Sequence, residues 1–303
     1  MRALVTGVTG FVGPYLVDEL VNSGYEVFGL DRAGKDVKNC RVFECDILDK
    51  EKLFSIISEV SPDAVFHLAG QSSVPKSFEI PELTMEINVG GTRNLLDAVV
   101  KAKIMPKVLV VSSSQVYGKS NKEVLNESSP LRPESPYAES RVKQEEAAFG
   151  YFKKHKLPII VSRSFNHTGP GQPPDFVCPD FARQIVKIER GEKEPVIFVG
   201  NTSSRIDFSD VRDVVKAYVL LAEKGEAGEI YHVCSGKGHS IKQVLGLLCS
   251  MSDAAISIKK DPKKFRKQDI MVGDNSRIRQ LGWQSRIGFE QTLKDIIDYW
   301  RAQ

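Results

Sequence analysis

Residues 2–13 read RALVTGVTGFVG, an apolar run of strand length ending in three glycines, Gly7, Gly10 and Gly13, with a helix-like stretch directly behind them. A strand that is apolar on both faces belongs in a parallel sheet with helices on each side. Glycines at such a turn let the backbone approach a pyrophosphate at the helix N-terminus and let helix pack on strand, with Phe11 and Val12 as the intervening turn residues. The alternation continues through YEVFGLD (25–31), KLFSIISEV (52–60), DAVFHLA (63–69), a helical region ending LLDAVVKAK (95–103), and KVLVVSS (107–113). This rhythm predicts an α/β fold, a doubly wound parallel Rossmann sheet, whose ligands bind outside the carboxyl ends of the strands.

After about residue 165 the rhythm gives way to a loop rich in Gly, Pro and Asp, HTGPGQPPDFVCPD (167–180), followed by helices and short strands. The chain is expected to return to the main sheet around EIYHVCS (229–235). The predicted division is therefore discontinuous: residues 1–164 plus about 208–236 form the dinucleotide-binding domain, and 165–207 plus 237–303 a smaller C-terminal lobe.

Composition bounds the function. The 303 residues are 41% hydrophobic and 27% charged, and 42 basic and 39 acidic side chains are mixed along the chain to a net charge of +3. No basic run tracks a nucleic-acid backbone, so nucleic acid is not an expected partner. Five cysteines without CxxC spacing suggest neither a disulfide framework nor a zinc site, but free thiols in a reducing cytosol. His167 and His232 have no ligand partners at zinc spacing and are read as hydrogen-bonding or packing residues, so no metal is expected. No apolar segment is long enough to span a bilayer, and a cytoplasmic protein is expected.

Asp31 closes the strand after the glycine turn, where a carboxylate can accept from the adenosine ribose hydroxyls. It would repel a 2′-phosphate, which favours NAD(H); Arg32 beside it could pair with that phosphate, which keeps NADP(H) open. Farther along, SPYAESRVKQ (135–144) places Tyr137 at the start of a helix. Residue i+4 lies about 40° round the helix, so Arg141 shares its face, whereas Lys143 points largely the other way.

With these motifs the chain resembles the extended short-chain dehydrogenase/reductase family of nucleotide-sugar enzymes over nearly its whole length. The resemblance implies that Asp46 and Ile47 lie against the adenine, and that HLAGQSSV (67–74) lines the nicotinamide side through Leu68 and Ala69. Gly70 stands in that segment where the family usually has alanine, and Asn88 fits the pattern of the helix that follows. Ser113 would hydrogen-bond the sugar oxygen under attack, Tyr137 would exchange the proton, and Arg141 stands where the family has lysine. A phenol titrates near pH 10, and a neighbouring cation favours its phenolate. Arginine supplies that cation but releases no proton, so the pair is read as altered rather than lost.

The loop SRSFNHTGPGQPPDFVCPDFARQIV (162–186) most resembles GDP-sugar enzymes, which implies a GDP-linked keto-deoxy sugar as the substrate. The implied contacts are Ser73, Ser114, Asn166, Arg183, Arg205 and Arg266, with the Phe165–Thr168 backbone near the nicotinamide. Ile206 stands where the family usually has arginine, so Arg205 either reaches the nucleotide through a local bulge or makes no such contact. Gln115 stands where the 4,6-dehydratase branch commonly has a glutamate base, which disfavours dehydration. The expected activity is reduction of a C4 keto group. A 4-epimerase, then a dehydratase, or a non-catalytic nucleotide-binding protein are the alternatives, and a homodimer is expected by analogy.

Overall fold

Alternation of apolar runs with amphipathic helices produces a seven-stranded sheet in the computed structural model, which describes residues 1–120, 123–261 and 270–303. Its first strands are β1 (Arg2–Thr6), β2 (Glu26–Asp31), β3 (Arg41–Glu44), β4 (Ala64–His67), β5 (Lys107–Ser113) and β6 (Ile159–Ser164). Outside it follow β7 (Asn166–Thr168), β8 (Val196–Val199) and β9 (Arg205–Asp210); β10 (Ile230–Val233) then rejoins the sheet beside β6. The expected return at EIYHVCS is thus the seventh strand. The order is β10-β6-β5-β4-β1-β2-β3, all parallel. From β1 the chain winds one way and from β4 the other, which opens a crevice at their carboxyl ends.

The helices are α1 (Gly13–Asn22), α2 (Lys50–Val60), α3 (Val74–Glu79), α4 (Pro81–Met85), α5 (Gly91–Lys101) and α6 (Pro136–His155), then α7 (Val177–Glu189), α8 (Val211–Lys224), α9 (Ile241–Ser250), α10 (Ser276–Gln280) and α11 (Phe289–Arg301). Their starts are written locally. Asp49 caps α2 by accepting from the Lys52 amide, Ser135 caps α6 ahead of Pro136, and Ser240 and Gln243 form a capping box on α9. One sheet face is covered by α1 and α8 through Leu16, Leu20, Val214 and Tyr218, joined by Ile278 and Trp283. The other is covered by α2 and α5 through Leu53, Ile57, Leu95 and Val99, with Ala148 of α6. Each such large side chain contributes about 1.5–3 kcal/mol on burial. A separate core gathers Phe181, Ile185, Leu245, Leu248, Leu293 and Ile296 from α7, α9 and α11.

The remaining short strands are β11 (Gly238–Ser240), β12 (Ser257–Lys260) and β13 (Ile270–Met271). β9 is flanked by β11, β13 and β7, and β12 pairs with β8. No helix among the described residues is long and apolar enough to cross a membrane. All five cysteines are free thiols.

Between α6 and the sheet lies a buried ion pair that the sequence pattern does not announce. Arg163 of β6 donates to both carboxylate oxygens of Glu145, the shortest contact being 2.7 Å, and the two side chains are 5% and 4% exposed. Arg163 also donates to the Tyr117 hydroxyl at 2.8 Å, and Ser112 donates to Glu145 at 2.5 Å. The group fastens α6 to β5 and β6. Because removal of one partner strands a buried charge, Glu145→Ala is expected to lower the unfolding free energy by about 3–5 kcal/mol, read from urea denaturation. A loss below ~1 kcal/mol would show that α6 is held by its apolar contacts instead.

Candidate active site

The cofactor end is shaped by contacts too close for a side chain. Gly7 has φ +72°, and a Cβ there would lie 2.9 Å from the Ala69 backbone. A Cβ on Gly13 would lie 2.0 Å from the Val8 carbonyl oxygen. The Gly10 amide donates to Gly7 O at 3.1 Å and the Gly13 amide to Gly10 O at 3.2 Å, which folds the turn tightly. No side chain caps α1 at Val12, and Pro14 in its first turn has no amide hydrogen to satisfy. Phe11 stacks on His167 with ring centres 6.3 Å apart, which brings the turn against β7.

Asp31 ends β2 beside this turn: one carboxylate oxygen accepts from the Thr9 amide at 3.3 Å and the other from Ala33 at 3.0 Å. Arg32 is exposed next to it. Asp46 accepts from the Leu48 amide at 2.9 Å, and Ile47 is buried against Gly91 of α5. After β4, the Leu68 amide donates to Thr6 O at 3.2 Å and the Ala69 amide to Thr6 Oγ1 at 3.1 Å.

At the reacting end, Ser113 closes β5, and its hydroxyl oxygen accepts from the Gln115 amide at 3.2 Å. Tyr137 sits in the first turn of α6 and is 7% exposed. Arg141 lies one turn on, its guanidinium carbon 5.2 Å from the Tyr137 ring centre, and is 5% exposed. Its Nη1 donates to Val111 O on β5 at 3.1 Å and to Gln144 Oε1 at 2.8 Å. Lys143 is exposed, as its place on the helix requires. The shared face of Tyr137 and Arg141 is therefore real, and it meets the end of β5.

Behind Arg141 runs a chain of polar groups whose roles follow by elimination. Gln144 Nε2 donates to Thr92 Oγ1 at 2.8 Å, and the Thr92 hydroxyl spends its proton on Asn88 O at 2.7 Å. His67 Nε2, 2.8 Å from the same Thr92 oxygen, must then donate, and its Nδ1 accepts from the Thr6 hydroxyl at 2.8 Å. His67 is neutral in this arrangement. Burial first, and the Arg141 charge second, depress its pKa to about 3. Asn88 lies in a π-helical turn (Glu86–Gly90), a distortion common at functional sites. It clasps Gln71 from both sides, accepting from the Gln71 amide at 2.8 Å and donating to Gln71 O at 3.1 Å, and it donates to Ser140 of α6 at 2.8 Å. Gln144, Thr92 and His67 were not singled out from the sequence. Their signal was a polar residue inside an apolar strand or helix face.

Outside the main sheet Asn166, on β7, pairs with Phe208 of β9. Phe165 is buried, with its ring edge-on to His232 at 5.0 Å, so it can offer a ligand its backbone but not its ring. Arg183 of α7 reaches Asp180 at 3.5 Å. The register around Arg205 and Ile206 is regular against both β11 and β13, with no bulge. Ile206 packs on the core of α7, α9 and α11, and Arg205 lies exposed on the other side of the strand near Gly238. Ser73 caps α3, accepting from the Lys76 amide at 3.3 Å. Arg266 lies outside the described residues.

His167 donates to Phe165 O at 3.1 Å, while His232 donates to Asp274 O at 3.2 Å and accepts from Tyr117 at 2.5 Å. No cluster of metal-binding side chains occurs among the described residues. Buried polar atoms without a partner include Ser114 Oγ, Arg141 Nε and Arg183 Nε, all on residues expected at the site. Buried groups are left unpaired where a ligand supplies the partner.

A glycine-lined turn at a switch point, a carboxylate ending the second strand, and a tyrosine–cation pair beside the fifth define a dinucleotide-binding oxidoreductase site of the short-chain dehydrogenase type. The family profile described as GDP-mannose 4,6 dehydratase matches residues 4–296. The GDP-6-deoxy-D-mannose reductase of Pseudomonas aeruginosa is 34% identical, over 100% of this chain and 98% of that protein. The structure of RMD from Pseudomonas aeruginosa complexed with NADPH is 32% identical with a TM-score of 0.88, covering 100% of this chain and 99% of that one. The Thermus thermophilus UDP-glucose 4-epimerase complexed with NAD is 29% identical with a TM-score of 0.88, covering 99% of each chain. The chain belongs to the GDP-mannose 4,6-dehydratase family of extended short-chain dehydrogenase/reductases.

The buried histidines give the fold a pH dependence. His232, like His67, is depressed by burial first and by Arg163 second, to about 4. The unfolded chain takes up these protons near pH 6.5 while the native state refuses them, so stability is full above pH 6.5 and falls as the pH is lowered toward 4. The expected loss is about 2 kcal/mol for each histidine between pH 7 and 5, the slope approaching about 1.4 kcal/mol per pH unit at the lower end, read from urea midpoints, and His232→Gln should remove one share of it. A flat profile would mean that both rings take up protons in the native state.

Proposed function

We propose that this protein is an NAD(P)H-dependent reductase that converts the C4 keto group of GDP-4-dehydro-6-deoxy-D-mannose to the alcohol, giving a GDP-6-deoxyhexose of the GDP-rhamnose type. The observation that carries the reading is the buried Tyr137–Arg141 pair at the end of β5, with the Arg141 Nε lacking a partner. The cradle fits a dinucleotide: Gly7 and Gly13 stand where a Cβ would collide with backbone, and no side chain covers the N-terminus of α1. Gly7, Gly10, Phe11, Val12 and Gly13 would hold the diphosphate, Asp31 or Arg32 the adenosine ribose, and Asp46 and Ile47 the adenine. A bound nicotinamide supplies the hydride.

The chain's own groups do the rest. Ser113 donates a hydrogen bond to the carbonyl oxygen as charge develops there, and Tyr137 protonates the resulting alkoxide. Arg141 stabilises the phenolate left behind and keeps its own proton. Proton return to Tyr137 must then come from solvent or from a substrate or cofactor hydroxyl. Gln115, at the start of the turn after β5, has no basicity to remove a sugar proton, which supports reduction over dehydration. A GDP-linked keto-deoxy sugar would be held by Ser73, Ser114, Asn166, Arg183 and Arg266; the regular register of β9, without a bulge, leaves Arg205 out of this set. In this reading residues 165–207 plus 237–303 form the substrate lobe, and the protein is a cytoplasmic homodimer paired through helices near Tyr137.

The test is loss of nicotinamide absorbance on mixing the protein with the keto sugar and NADH or NADPH. Oxidation is expected, and Tyr137→Phe should reduce kcat by roughly 100-fold or more. Turnover of a hexose without added nicotinamide would instead favour an epimerase. Asp31 and Arg32 divide cofactor choice between them: Arg32→Ala should raise KM for NADPH about tenfold with little change for NADH, since it removes a charge-assisted contact to the 2′-phosphate. Equal effects on both cofactors would remove Arg32 from that role.

A further inference from the structure

We infer that Gly70 is a positioning residue for the reaction: its missing side chain is the space in which the Arg141 guanidinium sits. The inference rests on the reading of Tyr137 and Arg141 as the reacting pair. A Cβ built on Gly70 would stand 3.0 Å from Arg141 Nη2, 3.3 Å from Nη1 and 2.8 Å from Asn88 Oδ1. Asn88 Oδ1 is the nearer of the two obstructions, and neither backbone strain nor core packing calls for a glycine here. The Gly70 φ lies outside the positive range, so an alanine would meet no backbone strain, and the residue is exposed rather than packed in a core.

Neither neighbour yields readily. The guanidinium is held by Val111 O and Gln144 Oε1, and Gln144 is itself held by Thr92. Asn88 Oδ1 is held by the Gln71 amide. A methyl group at position 70 forces Asn88 Oδ1 to shift and presses the guanidinium by a few tenths of an ångström against the bonds that hold it to Val111 and Gln144, and Nε, buried without a partner, moves with it. Position 70 directly follows Ala69, whose backbone touches Gly7, so the displacement falls between the phosphate turn and Tyr137. Gly70 and Arg141, two departures from the family pattern, are in this way one coupled change. A shorter, unbranched ammonium at position 141 would not need the space.

The experiment is a double-mutant cycle on the full-length protein: native, Gly70→Ala, Arg141→Lys and the double variant. NADH and NADPH affinity is read by fluorescence without substrate, kcat and its pH profile with the keto sugar, and folding by thermal melting. With Arg141 present, Gly70→Ala is expected to weaken cofactor binding and lower kcat on the order of tenfold, as befits residues in contact; in the Arg141→Lys background it should change either by less than about twofold. The kcat pH profile should move with Gly70→Ala only when Arg141 is retained. Equal losses in both backgrounds would overturn the inference and assign the glycine to Asn88 alone. If Gly70→Ala does not fold, the double variant decides: a folded, cofactor-binding protein supports the inference, and an unfolded one overturns it. Cofactor binding without turnover of the keto sugar by the native protein would remove the reductase reading and leave the cycle readable.

Discussion

Two backbone approaches, Gly13 over Val8 and Gly7 over Ala69, fix the geometry from which the rest follows. The first brings α1 down onto the end of β1. The second brings the segment after β4 alongside the turn. Since β1 and β4 are the neighbours at which the winding reverses, these contacts set the width of the crevice at the carboxyl ends of the strands. Any side chain at either glycine would open it, because the obstructing atoms are backbone and have nowhere to go.

From this edge a buried polar chain runs back to the reacting pair, from the Ala69 amide through Thr6, His67, Thr92 and Gln144 to Arg141. Every link as far as Gln144 is satisfied, which is the condition under which buried polar groups rigidify a structure rather than weaken it. The glycine turn and the Arg141 guanidinium are thus parts of one hydrogen-bonded body. Lysine at position 141 would present a compact charge on a flexible stem; arginine presents a planar fork that takes Val111 O and Gln144 together. The substitution keeps a cation beside Tyr137 while tying it to the scaffold.

The later part of the chain is fastened by three aspartates in the run DFSDVRD. Asp207 accepts from the Ser235 and Gly236 amides at 2.8 and 2.9 Å, and so pins the loop after β10. Asp210 caps α8, takes Arg212 and accepts from Thr292 of α11 at 2.8 Å. Asp213 accepts from the Arg286 and Ile287 amides at 2.7 and 2.8 Å. Three carboxylates within seven residues read in sequence as a polar run. In the structure each ties a different later segment of the chain to β9 or α8.

The order of strands and helices, the glycine turn, Asp31 and the shared face of Tyr137 and Arg141 were legible in the sequence because each is a local matter of period or conformational permission. The bulge considered at Arg205 could not be decided there, since register is a property of two strands, and the pairing of β9 with β11 and β13 leaves Arg205 on the exposed side. The Arg163–Glu145 pair joins residues 18 apart, and the chain from His67 to Arg141 joins separate elements. Sequence by itself determined which elements form and where a dinucleotide turn begins, because strand period, helix caps and glycine conformations act over a few residues. Only the tertiary structure decided what surrounds Arg141, because the Gly70 space, the Thr92 hydroxyl that holds Gln144 and the Val111 carbonyl come from parts of the chain that meet only when the sheet assembles.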